Sequence, residues 1–321
     1  MNQQALPVLI TGIQGFVGGN LNRYLSQAEG YTITGTTRNP QPEKRHISGG
    51  TLLQSNRQIL KSNTTFKAYI HLAGKVYDIE ERSASEEYFT ANFDLTKKYF
   101  KRFIEDEQAE KFIFLSTIHV LAENPDRELD EEYTPVPVTP YGESKLLAEE
   151  YLMKHCPPHK KVYILRPSMI HGPGNKGSLN MLYGLVRSGL PYPIGAVNNK
   201  RSFVSIENLC FVIKEILEND VEAGLYHVAD DEPTHTHDLV RMIAESLGKK
   251  PRIWPVPLSL VKLTAKIGNR TPIPLNDHRL GKLTGDFIVS NRKVKRAIGK
   301  PLPVTSREGL QRTIDSFKQS P

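Results

Sequence analysis

A regular alternation of short β-rich runs with longer helical patterns is the feature of this 321-residue sequence that most limits its fold. The β-rich runs cover residues 7–10, 31–37, 68–72, 111–116 and 162–166, and helical patterns such as residues 88–105 separate them. Strands that alternate with helices indicate a parallel sheet covered by helices on both faces. Such sheets bind ligands at the carboxyl ends of their strands, so we expect the functional residues there.

Three glycines follow the first run, within residues 11–18, and open the first helix. Gly12 permits a tight turn, Gly15 lets the backbone approach a pyrophosphate, and Gly18 lets the helix and the strand pack closely. The first helical turn, with Phe16 and Val17, offers free N–H groups and the positive end of the helix dipole to phosphates. The position of these glycines between a strand and a helix predicts a dinucleotide-binding site.

We therefore predict an α/β fold, a Rossmann-type doubly wound parallel sheet with a smaller, mostly C-terminal substrate-binding lobe. After Arg166 the alternation loosens, because proline and glycine interrupt it and the helical patterns shorten. A dinucleotide-binding domain is expected over residues 1–166, and the lobe is expected mainly over residues 167–321. Segments near residues 203–229 are expected to return to the first domain.

The end of the second strand distinguishes the two nicotinamide dinucleotides. An acidic residue there binds the ribose hydroxyls of NAD, whereas an arginine accommodates the 2′-phosphate of NADP. Residues 36–39 contain no carboxylate, and Arg38 stands 20 residues after Gly18. The planar guanidinium of Arg38 suits a phosphate, and a solvated loop arginine is the alternative. NADP is the predicted cofactor, with NAD as the alternative.

A tyrosine and a lysine four residues apart give the main chemical signal. Tyr141 and Lys145 begin a predicted helix, in which positions i and i+4 share one face. A nearby cation favours the phenolate, so Lys145 is expected to lower the pKa of Tyr141. A hydroxyl, Ser116 or Thr117, ends the preceding strand and can bind the substrate oxygen. Asn92 is expected to hold a water or to fix the active-site backbone, with an ordinary polar helix position as the alternative.

The glycine turn, Asn92, the hydroxyls and the Tyr141/Lys145 pair occur in the order typical of the extended short-chain dehydrogenase/reductases. Residues 71–74, 166–167 and 171–174 fit the same order. The chain resembles that family along nearly its whole length. The resemblance implies that Tyr141 is the catalytic acid or base and that Lys145 binds the nicotinamide ribose and tunes Tyr141. Of the two hydroxyls, it assigns the orientation of the substrate to Thr117. It places further cofactor contacts at Leu72, Ala73 and Pro167.

The second half of the chain resembles the nucleotide-sugar branch of the same family. Residues 201–209 are similar to the segment whose arginine contacts the nucleotide diphosphate, which assigns that contact to Arg201. Ser178 and Asn180 lie where a further substrate-phosphate contact is expected, and the choice between them is open. Residues 189–195 and 254–257 resemble members that make UDP-N-acetylquinovosamine, which are often named simply UDP-glucose 4-epimerases.

Three functions follow from this resemblance. The first is reduction of the 4-keto group of a UDP-4-keto-6-deoxyhexosamine for surface polysaccharide biosynthesis, and Arg38 favours it because it indicates exchangeable NADPH. The second is a UDP-hexose 4-epimerase with tightly bound NAD. The third is a non-enzymatic NADP sensor, which would not need Thr117, Tyr141 and Lys145.

The chain departs from the family pattern at two places. Sugar 4,6-dehydratases carry an Asp-Glu pair directly after the catalytic threonine, whereas Ile118 and His119 stand there in this chain. We therefore exclude dehydration, which needs that extra acid and base. Gly74 replaces a common alanine, and this change is expected to affect packing only.

The net charge of +7 comes from basic residues scattered among nearly as many acidic ones, which favours an anionic substrate such as a UDP-sugar over nucleic acid. The chain lacks an apolar run near the roughly 20 residues that span a bilayer, and lacks a signal-peptide pattern. Its two cysteines fit a reducing cytoplasm. His235, His237 and Asp238 are assigned to a helix start and not to a metal site. A homodimer is one candidate assembly.

Overall fold

The computed structural model describes residues 5–38, 46–47, 50–76, 84–175, 177–262 and 284–318. The strands in these residues are β1 (Leu6–Thr11), β2 (Tyr31–Thr37), β3 (His46–Ile47), β4 (Thr51–Ser55), β5 (Ala68–His71), β6 (Lys111–Leu115), β7 (Lys161–Pro167), β8 (Met169–His171), β9 (Lys200–Arg201), β10 (Phe203–Ser205), β11 (Gly224–Val228) and β12 (Thr234–His235). The α-helices are α1 (Phe16–Ser26), α2 (Asn56–Lys61), α3 (Ser85–Tyr88), α4 (Leu95–Glu105), α5 (Pro140–His155), α6 (Ser178–Arg187), α7 (Ile206–Glu218), α8 (Thr236–Ser246), α9 (Arg292–Ile298) and α10 (Ser306–Lys318).

The main sheet has eight strands in the order β11-β7-β6-β5-β1-β2-β4-β3. Neighbouring strands are parallel except for the antiparallel pair of β3 and β4. The chain moves outward from β1 through β2 to β4, and then returns to β5 on the other side of β1. The carboxyl ends of β1 and β5 therefore flank the crevice in which sheets of this kind bind ligands. The predicted doubly wound parallel sheet is confirmed.

Alternate residues of each central strand face opposite layers of helices. In β1, Val8 and Ile10 pack in a cluster with α1, α7 and α9, whereas Leu9 packs in a cluster with α2, α4 and α5. All three side chains are fully buried. Strands buried on both faces require almost continuous apolar sequence, which is the pattern in β1, β6 and β7.

The lobe has an apolar core of its own. Side chains from α6, α8 and α10 form it, among them Tyr183, Ile243 and Ile314. Two small sheets, β8 with β10 and β9 with β12, lie outside the main sheet. Strand β11 pairs with β7 at the edge of the main sheet, and α7 packs in the cluster that contains α1. The proposed domain boundaries stay a prediction.

One helix differs from the sequence expectation. The helix expected over residues 88–105 contains a π-helical segment, Phe89–Asp94, between α3 and α4. Helix α8 begins at Thr236, its N-cap is His235, and no side chain caps it. The rings of His235 and His237 stack at 5.0 Å, since only one of the two lies inside the helix. Within the described residues, we find no helix with both the length and the apolar character needed to cross a membrane.

Candidate functional site at the carboxyl edge of the sheet

The glycine turn between β1 and α1 leaves no room for side chains. Gly12 has φ of +68°, and a Cβ on it would lie 2.8 Å from the backbone of Ala73. A Cβ on Gly18 would lie 2.4 Å from the carbonyl oxygen of Gly12. The turn is closed by the Gly15 amide, which donates to the Gly12 carbonyl at 2.9 Å, and α1 starts at the next residue. The N–H groups of Phe16 and Val17 belong to the first turn of α1, whose amides have no acceptor within the helix.

A buried chain of hydrogen bonds joins this turn to the segment after β5. The Ala73 amide donates to Thr11 Oγ1 at 3.1 Å, and Thr11 Oγ1 lies 2.8 Å from His71 Nδ1. On the other side, His71 Nε2 lies 3.0 Å from Thr96 Oγ1, which donates to the Asn92 carbonyl at 2.6 Å. Because the Thr96 hydroxyl donates to the Asn92 carbonyl, it can only accept from His71. The His71 ring therefore donates from Nε2 and accepts at Nδ1. Burial lowers the pKa of His71 to about 3, so this ring is neutral.

Asn92 lies in the π-helical segment and is fully buried. Its Oδ1 accepts from the Lys75 amide at 2.7 Å, and its Nδ2 donates to the Lys75 carbonyl at 3.1 Å and to Ser144 Oγ at 3.0 Å. Asn92 therefore ties the loop after β5 to the first turns of α5. A Cβ on Gly74 would lie 2.6 Å from Asn92 Oδ1 and 3.3 Å from Lys145 Nζ. The glycine at this position is thus part of the candidate site.

Thr117 and Tyr141 come together where β6 ends and α5 begins. Thr117 caps a 3₁₀ turn, Ile118–Val120, and its hydroxyl accepts from the His119 amide at 3.3 Å. Helix α5 has Pro140 in its first turn and Thr139 as N-cap. A Cβ on Gly142 would lie 2.8 Å from the His119 carbonyl oxygen, so the first turn of α5 packs directly on the 3₁₀ turn. This contact allows the hydrogen bond between the hydroxyls of Thr117 and Tyr141.

The pKa of Tyr141 is raised, against the expectation that Lys145 lowers it. Burial raises this pKa, the hydrogen bond to Thr117 opposes the rise, and Tyr88, with its ring 6.2 Å away, adds to it. The Lys145 ammonium is directed elsewhere: Nζ donates to the Leu115 carbonyl at 2.8 Å and lies 4.7 Å from the centre of the Phe114 ring. Burial lowers the pKa of Lys145 itself to about 8, and Glu149 opposes that change.

Arg38 follows β2 directly and is exposed. Among the described residues it has no hydrogen-bond or ion-pair partner. Its neighbour Thr37 donates to Gln14 Oε1 in the glycine turn at 2.6 Å, which fixes the end of β2 beside that turn. Arg38 is therefore placed at the rim of the crevice, and its contact with a phosphate stays a prediction.

The remaining predicted residues lie on other elements. Pro167 ends β7 and is buried beside Val228. Ser178 and Asn180 are exposed on the first turn of α6. Arg201 is half-buried in β9, with its guanidinium carbon 5.4 Å from the centre of the Phe287 ring. Leu72 and Ala73 follow β5 at the crevice.

Sequence reasoning missed two groups of residues that support this site. Glu149 and Arg166 form a buried ion pair beneath Thr117, and Glu149 stands four residues after Lys145, which is a detectable helical spacing. The rings of His119 and Phe287 lie 5.9 Å apart, so Phe287 connects the turn after Thr117 to Arg201. Phe287 is far from His119 and Arg201 in the sequence, so no local sequence pattern indicates these contacts. Within the described residues, no group of three or more His, Cys, Asp or Glu side chains is arranged to hold a metal ion.

The structure combines the predicted doubly wound sheet with a glycine turn after β1 and with Thr117, Tyr141 and Lys145 at its carboxyl edge. A family model described as the NAD dependent epimerase/dehydratase family matches residues 8–229. The chain belongs to this family. Its relatives include sugar-nucleotide epimerases and reductases, so the prediction of an enzyme is confirmed and the sensor alternative is set aside.

Individual relatives cover the whole chain. The UDP-glucose 4-epimerase of Vibrio cholerae is 30% identical over 98% of this chain and 96% of its own length. The dTDP-4-dehydro-6-deoxyglucose reductase of Escherichia coli is 23% identical and covers 97% of each chain. The solved structure of MoeE5 in complex with UDP-glucose and NAD has a TM-score of 0.76 at 20% identity, and covers 98% of this chain and 99% of its own. That structure shows that the fold is shared.

Proposed function

We propose that the protein reduces the 4-keto group of a UDP-4-keto-6-deoxyhexosamine with NADPH. The observation that carries the proposal is the hydrogen-bonded hydroxyl pair of Thr117 and Tyr141 at the carboxyl edge of the sheet. Two hydroxyls held together can bind one carbonyl oxygen and stabilise the negative charge that grows on it during reduction.

The residues at the crevice fit a dinucleotide. The turn at Gly12 and Gly18 has no space for a Cβ, so the backbone is open to close approach by a pyrophosphate. The N-terminus of α1 favours the phosphates electrostatically. A bound nicotinamide nucleotide supplies the hydride. The residues proposed to hold it are Gly12, Gly15, Phe16, Val17, Gly18, Arg38, Leu72, Ala73, Tyr141, Lys145 and Pro167.

Tyr141 is the proposed general acid. Its raised pKa keeps the phenol protonated at neutral pH, which is the form that gives a proton to the C4 oxygen. Thr117 orients that oxygen, and Lys145 holds the nicotinamide ribose. Asn92 fixes the backbone of the loop after β5 through its two bonds to Lys75.

Arg201 is the proposed contact for the substrate diphosphate, with Ser178 or Asn180 as a further one. Burial lowers the pKa of Arg201, which means that the surroundings disfavour its charge. An anionic diphosphate would compensate for that cost, as charge-assisted bonds to arginine do in general. The bound UDP-glucose of MoeE5 supports the choice of a UDP-sugar.

A second candidate is a UDP-hexose 4-epimerase that retains NAD. The similarity to the Vibrio cholerae UDP-glucose 4-epimerase over nearly the whole chain favours it. In that reaction Tyr141 would first accept a proton from the C4 hydroxyl as the phenolate and later return it, and the raised pKa of Tyr141 disfavours that starting form. We place either reaction in the cytoplasm, because Cys156 and Cys210 are both unbonded.

Mass spectrometry of the nucleotide released on denaturation distinguishes the two candidates. Reduction with exchangeable cofactor predicts protein that is purified without stoichiometric NAD and then binds added NADPH. One NAD retained per chain would support the epimerase instead. Failure to bind NADPH or NADH at any attainable concentration would contradict both.

A further inference from the structure

A buried charged cluster lies beneath Thr117 and Tyr141, made of Ser116, Glu149 and Arg166. Glu149 is 3% exposed and accepts two bonds of 3.1 Å from Arg166 Nε and one of 2.5 Å from Arg166 Nη2. It also accepts a short hydrogen bond from the Ser116 hydroxyl. Buried charges are tolerated only when they are paired in this way, so the cluster is fixed in position.

Helix α5 holds the end of β6 at two consecutive residues. Lys145 Nζ binds the carbonyl of Leu115 at 2.8 Å, and Glu149, one helical turn later, binds the side chain of Ser116. The Ser116 amide donates to Leu165 of β7 at 2.8 Å, so the strand end is also tied to the sheet. The next residue in the chain is Thr117.

We propose that Glu149 is a positioning residue of this site, because its carboxylate is the buried anion that balances Lys145 and its bond to Ser116 fixes the strand end that carries Thr117. The proposal rests on the proposed function only where it gives Thr117 and Lys145 their catalytic roles. The charge balance and the contacts of Glu149 are properties of the chain itself.

The groups around Lys145 explain why this anion matters. His71 on β5 is neutral, Arg166 on β7 is a cation, and Tyr141 on the same helix is a protonated phenol. Of these neighbours and Glu149, only Glu149 stabilises a positive charge on Lys145. Burial already lowers the pKa of Lys145 to about 8, with Glu149 opposing the shift. Loss of the carboxylate therefore lowers this pKa further and leaves Lys145 uncharged over more of the physiological range.

The charge role is tested by NMR titration of Lys145 in the cofactor-free protein, labelled with ¹³C-lysine and assigned by comparison with Lys145→Met. Glu149→Gln should lower the pKa of Lys145 by about one unit or more. Since that change leaves the buried Arg166 without its anionic partner, a second variant, Glu149→Gln/Arg166→Met, removes both members of the pair. Glu150→Gln, an exposed neighbour on the same helix, is the matched control and should leave the pKa unchanged. An unchanged pKa in the Glu149 variants overturns this half of the proposal, whatever the enzyme's reaction is.

The positioning role is tested by Ser116→Ala, which leaves the ion pair and the charge of Lys145 in place. Thr117 should lose its alignment, so kcat for a 4-keto sugar nucleotide should fall about tenfold, with NADPH affinity and the pKa of Lys145 within error of wild type. In the Glu149 variants the alkaline limb of the pH profile of kcat/KM should move to lower pH, because Lys145 loses its proton at a lower pH. In Ser116→Ala this limb should stay in place, because the pKa of Lys145 is unchanged. A Ser116→Ala enzyme with wild-type kcat overturns the positioning role.

Discussion

The proposed catalytic edge of the sheet and the proposed substrate-binding lobe are built in different ways. At the edge, Thr117 and Lys145 are each 5% exposed, and their bonds connect β6, α5 and the loops between them. In the lobe, Ser178 and Asn180 are exposed on one helical turn, and Arg201 lies in a two-residue strand. The proposed catalytic side chains thus lie at buried, hydrogen-bonded positions, and the proposed substrate contacts lie at more exposed ones.

This difference predicts which property a side-chain substitution should change in each region. A side chain at the edge shares its bonds with several elements, so altering it changes rate and sometimes stability. An exposed side chain of the lobe lies outside its apolar core, so altering it should change affinity more than stability. The four variants below test that contrast, from the largest effect to the smallest.

Tyr141→Phe should show the largest effect, because it removes the transferable proton and keeps the half-buried ring. General acid catalysis is worth about 10²–10⁴-fold, so single-turnover NADPH oxidation by a 4-keto sugar nucleotide should slow by that factor. NADPH affinity should stay within about twofold, since Lys145 and the glycine turn remain. A Phe variant that reacts within a few-fold of wild type would remove Tyr141 from the mechanism.

Gly12→Ala should weaken NADPH binding by about 100-fold, equivalent to about 2.7 kcal/mol. Its new Cβ would meet the Ala73 backbone at 2.8 Å, in addition to the strain at φ of +68°. Gly248→Ala is the matched control, because Gly248 has φ of +66° with nothing within 4 Å of an added Cβ. The control should cost only the left-handed strain, about 1–2 kcal/mol of unfolding free energy, and leave binding intact. Equal losses of affinity in both variants would show that strain and not the close approach governs binding.

Arg38→Ala should weaken NADPH binding by about 10- to 100-fold, the usual value of a hydrogen bond to a charged group. NADH binding should barely change, because NADH has no 2′-phosphate. Arg57→Ala, an exposed arginine on α2, serves as the control for net charge. Fluorescence titrations with both cofactors measure the effect, and parallel losses for NADPH and NADH would return Arg38 to the role of a solvated loop residue.

Arg201→Ala should have the smallest effect, about a tenfold loss of UDP affinity by calorimetry with NADPH binding unchanged. The loss is smaller because Phe287, which packs against the guanidinium, stays in place without it. Arg187→Ala, exposed at the end of α6, is the control. If the Arg187 variant loses as much affinity as the Arg201 variant, general charge and not a specific contact attracts the nucleotide.

The fold was predictable because its determinants are local. Buried parallel strands such as β6 and β7 require continuous apolar runs, and the glycines of the first turn have a spacing that few other structures need. The interruption of the 88–105 helix was not predictable, since the π-helical segment depends on Asn92 reaching Lys75 and Ser144, which lie on other elements.

The candidate site was predictable only where sequence spacing equals spatial proximity. Tyr141 and Lys145 share a helix, so their closeness follows from the helical repeat. The Lys145 ammonium is directed toward Leu115 because of the way α5 packs against β6. The sign of the Tyr141 pKa shift depends on the same packing, since Lys145 then does not lower that pKa. The connection from Thr117 through His119 and Phe287 to Arg201 spans distant parts of the chain, and no local pattern encodes it.

The most direct test of reduction at C4 is a label-transfer experiment with the wild-type enzyme. NADPH with deuterium at the transferable nicotinamide position is mixed with a UDP-4-keto-6-deoxyhexosamine, and the product is examined by NMR. We predict one deuterium at C4 of the sugar for each NADPH oxidised, and no conversion of UDP-glucose to UDP-galactose without added cofactor. A product without deuterium at C4, together with UDP-galactose formed on retained NAD, would contradict the reductase and establish the epimerase.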